Sequence, residues 1–408
     1  MAKPDKSHSS DRLNRFANTC RRISLVLAIS LPFLVPFDPS RNIDLQGLIV
    51  IISGAFAWCA LLIKRQKNVL RIDKLPTVLI QIFVLFIALS VIVNPHLSYN
   101  LLGAPYIRLG SLGLLSCMGI GLLVSDVPLQ KLKVYLYALI VAIALVSLPY
   151  SLLKVHSLTR IGGVFAQADI LACFMGCGLL LGLEIIKTYP HKKHILYPVQ
   201  LLLAVLLLLT ETRAVILIFV VLWIIWMFKN YHFEFRRLIL YVITLLLLAV
   251  TFQHFISDRL TNSTYATQSV SYRLALQSSA LKASESRAIF GYGTGNLADA
   301  LACTHLNSSQ LRPTCEQGYF FNSSHNIFLD RVLEVGWLGG LSFLALVVVA
   351  LRTALRGNAQ KNIFAYALCL IILYYLTNVT SISLELIFWV FLLGCLNKQF
   401  KSANVNNE

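Results

Sequence analysis

The chain has 408 residues, 57% of them apolar and 13% charged, with a mean hydropathy of +0.72. A soluble domain carries about 25% charge, so the composition excludes an aqueous globular enzyme and predicts an all-α polytopic membrane protein. The balance of 35 Lys and Arg against 18 Asp and Glu, formally +17, would point to nucleic acid in a soluble chain; its distribution here gives another reason.

In chain order, apolar runs long enough to cross ~30 Å of hydrocarbon as helix predict spans near 20–37, 43–63, 75–93, 107–125, 129–150, 168–187 and 194–210. Five more are predicted near 213–228, 236–255, 335–351, 362–379 and 382–397. About twelve spans put both termini on one side, and that side holds 24 of the 35 basic residues against 11 on the other. Basic residues in short loops stay cytoplasmic, so 1–22 and 398–408 read as cytoplasmic tails of a multi-pass membrane protein. The charge is then a topology signal, and no nucleic-acid partner is expected. No small-residue cleavage pattern follows the first apolar run, which reads as a retained helix. The transmembrane domain spans 23–397 and includes an outward segment at 256–334, between helices 9 and 10. That segment is polar, and its Tyr, Phe, Leu and Gly content predicts a folded cap.

Seven cysteines (Cys20, Cys59, Cys117, Cys173, Cys177, Cys369 and Cys395) lie in or beside apolar runs and read as core packing. Cys303 and Cys315 fall in the outward segment, where an oxidising compartment permits a disulfide. The alternative is two free thiols.

Basic residues at the outward face or within a span are costly, about 3 kcal/mol for an Arg at mid-membrane on the insertion scale. Arg108 begins helix 4, Arg160 precedes helix 6, Arg213 lies between the runs of helices 7 and 8, and Arg273 heads a stretch of the large loop. Any one alone is explained by a guanidinium snorkelling to water or lipid phosphate. Four on one face point to a shared anionic ligand, because guanidinium offers rigid donors that match phosphate oxygens bidentately. A phosphate or pyrophosphate group is the expected ligand. No His-Glu-x-x-His and no close Cys and His cluster occurs, so neither a metal nor a cofactor is expected.

The run Asn322 to Arg331 leads into helix 10 and Glu334-Val-Gly336-Trp337-Leu-Gly339-Gly340. Ser323 or Ser324 is the expected N-cap, placing His325 in the first helical turn. The helix dipole and nearby arginines would keep its imidazole neutral and able to accept a proton. Taken by itself such a His is a polar interface residue. Gly291-Tyr-Gly293-Thr-Gly295 follows no strand and reads as a turn within the loop rather than a nucleotide cradle.

Together these residues resemble the O-antigen ligase and O-antigen polymerase superfamily of bacterial inner-membrane glycan transferases. The similarity rests on about twelve spans, a large late loop, Thr210-Glu-Thr212-Arg213 at a helix start, an Arg followed by Phe290-Gly291-Tyr292-Gly293-Thr-Gly295, and His325-Asn326 leading to Gly336-Trp337-Leu338-Gly339. It spans most of residues 100–397. The resemblance implies a glycosyltransferase type C-like helical fold and a glycan on undecaprenyl pyrophosphate as donor, with no metal. It implies Arg213, Arg273 and His325 as the catalytic set, with Arg108, Arg160 and Asn326 at substrate-binding positions. The favoured function is inverting transfer to lipid A core on the periplasmic face. A polymerase that extends the glycan on its carrier, and more distantly a twelve-helix transporter, are the alternatives.

Overall fold

The computed structural model describes residues 6–31, 39–65, 72–103, 109–155, 161–165, 167–230, 263–302, 321–357 and 359–397. Helices α1 (Lys6–Ser30), α2 (Pro39–Arg65), α3 (Lys74–Val93), the short α4 (Leu97–Leu102), α5 (Ser111–Ser125), α6 (Leu129–Val155) and α7 (Ala168–Thr188) make the first half. They are followed by α8 (Lys193–Leu209), α9 (Arg213–Asn230), α10 (Ser263–Ser286), the single turn α11 (Leu297–Ala300), α12 (Ile327–Leu355), α13 (Ala359–Tyr375) and α14 (Ile382–Leu396). No strand occurs among the described residues.

Among the described residues six segments are long and apolar enough to cross a membrane: Leu45–Ile63, Lys74–Val93, Leu129–Pro149, Ala168–Thr188, Pro190–Leu209 and Ile327–Leu355. The chain is an all-α, multi-pass membrane protein. Two shorter apolar helices, α5 and α14, have 15 residues each, about 22 Å of rise. Every residue of α14 is buried, so it is apolar all round and sits inside the bundle, as such a helix must. Around it Phe343 of α12 packs 5.4 Å from Phe83, 5.8 Å from Phe388 and 6.1 Å from Trp389. Small residues permit close approach on the other flank, where Gly54 of α2 lies against Ser116 and Gly121 of α5 against the Trp389 carbonyl.

Two expected boundaries move. The tail expected at 1–22 is helical from Lys6, and α1 ends at Ser30 rather than near 37. Ala17, Cys20, Ser24 and Leu31 are buried, a stripe at helical spacing whose small and polar members a hydropathy reading passes over; Ser24 and Ser53 of α2 join by a 2.8 Å hydrogen bond from the Ser53 hydroxyl to the Ser24 carbonyl. Helix 10, expected from 335, starts eight residues earlier as α12 and breaks at Gly336, whose φ of 76° and ψ of 174° are non-helical. The apolar run begins only after that break. The expected span at 236–255 and the tail at 398–408 lie outside the described residues.

The helix ends sort to two poles. At one pole Asp169 at the start of α7 accepts from Thr212 before α9, Gln277 of α10 donates to the Leu376 carbonyl after α13, and Asn94 after α3 donates to the Gly291 carbonyl. At the other pole Asn397 after α14 donates to the Ser125 carbonyl after α5, and Lys133 of α6 reaches Thr188 of α7.

Candidate functional site

The first pole is assembled on the break in α12. At Gly336 the i to i−4 ladder stops, which leaves the Leu333 and Glu334 carbonyls without helical donors. The glycine loop supplies them: Tyr292 N–H donates to Leu333 O at 2.7 Å and Gly293 N–H to Glu334 O at 3.0 Å. In return the Trp337 N–H donates to the Ala288 carbonyl at 2.8 Å. A Cβ on Gly336 would run into the Ile289 carbonyl, and one on Gly293, at φ 99°, into the Asn100 side chain. The glycines thus serve close backbone docking between the loop, α12 and the turn after α4, a role a nucleotide cradle does not need.

His325 sits on this platform. It is not in the first helical turn: the N-cap of α12 is Asn326, whose Oδ1 accepts from Phe328 N at 3.0 Å and Leu329 N at 3.4 Å. His325 precedes it at φ 58°, a left-handed conformation that costs a non-glycine residue about 1–2 kcal/mol. The Asp330 carboxylate holds it there, accepting from Ser323 Oγ at 2.6 Å and Ser324 N at 2.7 Å, while His325 N donates to Ser323 Oγ at 3.0 Å. Ser323 and Ser324 are therefore spent on Asp330 and on the loop, which leaves the cap to Asn326. Such strain at a polar site is where function is sought.

Gln277, one turn after Arg273 on α10, donates to the His325 carbonyl at 3.3 Å. This joins the helix of one candidate residue to the loop of another. Burial first, and the Arg273 guanidinium second, push the His325 pKa down to about 4. Burial thus adds to the arginine effect expected from the sequence and outweighs it. Its Nδ1 is buried and has no hydrogen-bond partner among the described residues.

Arg213 opens α9 at the same pole and is exposed. Before it, Glu211 is at φ 52° and Thr212 donates to Asp169 Oδ1 at 2.9 Å, a turn that fixes where α9 begins. The structure brings Arg273 to His325; among the described residues no hydrogen bond or ion pair joins Arg213 to either. Arg108 and Arg160 lie outside the described residues, as do Cys303 and Cys315. The seven other cysteines are free thiols. Among the described residues no three His, Cys, Asp or Glu side chains group as metal ligands.

Beneath the loop Arg331 is buried and bridges two carboxylates, Glu334 at 2.5 Å and Glu385 of α14 at 2.6 Å. Glu334 Oε1 also accepts from Gly295 N at 3.1 Å, and Asp330, Arg331 and Glu334 line a small cavity with Asn322 and Thr380. A pair of this kind needs its hydrogen bonds to offset desolvation, and here they tie the glycine loop, α12 and α14 together. Gln277, Asp330, Arg331 and Glu385 were absent from the sequence-based site. Gln277 was findable by its i, i+4 relation to Arg273; Glu385, 54 residues from Arg331, gave no local signal.

Fold and site thus define a multi-pass helical membrane protein with a cationic and histidine-bearing pole. The family model described as O-antigen ligase matches residues 199–344, a stretch that holds Thr210 to Arg213, Arg273, the glycine loop, His325 and Gly336. By this match the stretch is similar to the O-antigen ligase family, which supports an O-antigen ligase-like function at the level of the family. No curated protein matches the chain.

Proposed function

We propose that the chain is a periplasm-facing glycosyltransferase of the inner membrane that moves a glycan from undecaprenyl pyrophosphate to lipid A core. The acceptor hydroxyl oxygen bonds to the anomeric carbon as the bond from that carbon to the pyrophosphate oxygen breaks. The electron pair leaves with undecaprenyl pyrophosphate and the hydroxyl proton goes to His325. A single displacement inverts the anomeric centre. Arg213 and Arg273 stabilise the charge growing on the leaving group, which fixed donors can do without a metal; Arg108, Arg160 and Asn326 complete the substrate contacts.

The observation that carries this reading is the His325 imidazole, held toward its neutral form by burial and the Arg273 guanidinium and carried on a strained backbone. A base needs a free acceptor in its neutral form. The twelve-span topology, with the polar segment 256–334 outside the membrane, fits because the His325 loop, Arg213 at the start of α9 and Arg273 within α10 lie at one pole, away from the basic loops 187–193 and 352–361. A polymerase would use the same site with the growing glycan as acceptor. A transporter is disfavoured by the placing of the 79-residue segment in one half only, since inverted or parallel repeats would match the halves.

The lipopolysaccharide band pattern of a deletion strain tests the acceptor. Loss of all capped bands with accumulation of lipid-linked polymer is the expected result. Core carrying a single repeat would instead assign polymerisation.

A further inference from the structure

At the pole opposite His325, α1 and α6 stand apart over a floor made by α5 and α14. The gap is a crevice of about 620 Å³. Its walls and floor are apolar, among them Leu25 of α1, Ile120 of α5, Leu136 and Ala142 of α6 and Val390 of α14. Ile120, Leu136 and Val390 are otherwise buried, so this is a recess between helices and not the convex face that every membrane helix shows to bulk lipid. Two charged residues line it, Arg21 and Lys131, and no carboxylate does.

Both cations lie toward one end. Lys131 is in the first turn of α6, and the crevice follows that helix to Ala142, eleven residues or about 17 Å of rise. That length matches one leaflet, half of a ~30 Å hydrocarbon core. A ligand that fits is therefore an amphiphile with an anionic head and a chain one leaflet long.

We propose that the crevice is a binding site for one anionic phospholipid, with its phosphate between Arg21 and Lys131 and an acyl chain laid along α6 over Ile120 and Val390. The lipid fills the gap between α1 and α6 and adds to the hold that α2 already has on α1. This inference does not depend on the transferase reading.

The test is native mass spectrometry and thermal unfolding of the full chain in detergent, with phosphatidylglycerol or phosphatidylcholine added. The wild type is expected to retain phosphatidylglycerol and to gain thermal stability from it, with no gain from phosphatidylcholine. In R21Q/K131Q retention should weaken about 30-fold, the effect of two surface cations on one anion. Ala142→Trp keeps both cations and fills the recess, and it should lose retention as well. Each variant is compared only as a folded, monodisperse species; if the double variant does not fold, Ala142→Trp and the two single Gln variants decide. Equal response to both lipids, or retention unchanged in the variants, would overturn the site. So would a wild type that neither retains nor responds to phosphatidylglycerol, the outcome if the chain itself or a second copy fills the crevice.

Discussion

Asp330 fixes the backbone of His325 without touching its ring: Ser323 Oγ donates to the Asp330 carboxylate at 2.6 Å and accepts the His325 N–H at 3.0 Å. One hydroxyl therefore passes the position of a buried carboxylate on to the residue with the free ring nitrogen. Asp330 is a positioning residue in this account, and His325 the group that meets the acceptor.

Asp330→Ala removes two charge-assisted acceptors and leaves Ser323 Oγ and Ser324 N–H with no carboxylate, so stability should fall by about 3 kcal/mol. With the loop released, transfer should fall on the order of 100-fold, as for a small misplacement of a reacting group. Asp330→Asn keeps an oxygen for Ser324 N–H and should recover part of both. Thermal unfolding and initial transfer rates measure the two effects; an Asp330→Ala variant with full activity would remove the positioning role.

Transfer should persist in mild acid. A His titrating at its ordinary 6.5 would be about tenfold depleted in neutral imidazole at pH 5.5, whereas burial and Arg273 bring His325 to about 4. The rate at pH 5.5 should stay within about twofold of that at pH 7.5. The linked stability has a definite sign. The folded pKa lies below the unfolded one, so the unfolded chain binds more protons between 6.5 and 4, and the contribution present above 6.5 is lost as pH falls toward 4. Thermal unfolding of wild type against His325→Gln across that window reads this term, and a slope identical in both would contradict it.

Arg331 should be intolerant of single replacement. Arg331→Met leaves Glu334 and Glu385 buried and facing each other, which costs about 3–5 kcal/mol for a broken buried pair. The triple variant Arg331→Met, Glu334→Gln, Glu385→Gln removes the uncompensated charge, and Gln can still accept from Gly295 N–H. Folded yield by size-exclusion chromatography should drop in the single variant and return in the triple one. Comparable yield of the single variant would show that the bridge carries no structural weight.

The sequence made the helical membrane class plain because apolar runs of span length are a strong signal, and the ordered motifs Thr210 to Arg213, Gly291 to Gly295 and His325-Asn326 carried the resemblance that the match at 199–344 supports. The break at Gly336 was hidden, since a glycine at the head of an apolar run reads the same whether a helix precedes it or begins there. The cap was misassigned because four consecutive residues, Asn322-Ser323-Ser324-His325, precede Asn326 with hydrogen-bonding side chains, and only the tertiary position of Asp330 decides which is free to cap. Arg331 gave no local sign of its burial, because its partner Glu385 lies on another helix. The residues 303–320, with Cys303 and Cys315, fall outside the described structure.

The central claim is that His325 and the two arginines perform a transfer at this pole. The most direct measurement is transfer by purified, folded Arg213→Lys, Arg273→Lys and His325→Ala variants, supplied with glycan on undecaprenyl pyrophosphate and acceptor, with chelator present. Each Lys variant keeps charge but loses the forked geometry and should fall on the order of 100-fold, about 3 kcal/mol of transition-state stabilisation. His325→Ala should fall about 100- to 10,000-fold while still binding the lipid-linked donor. Near wild-type rates in all three variants, or loss of wild-type transfer on adding chelator, would contradict the account.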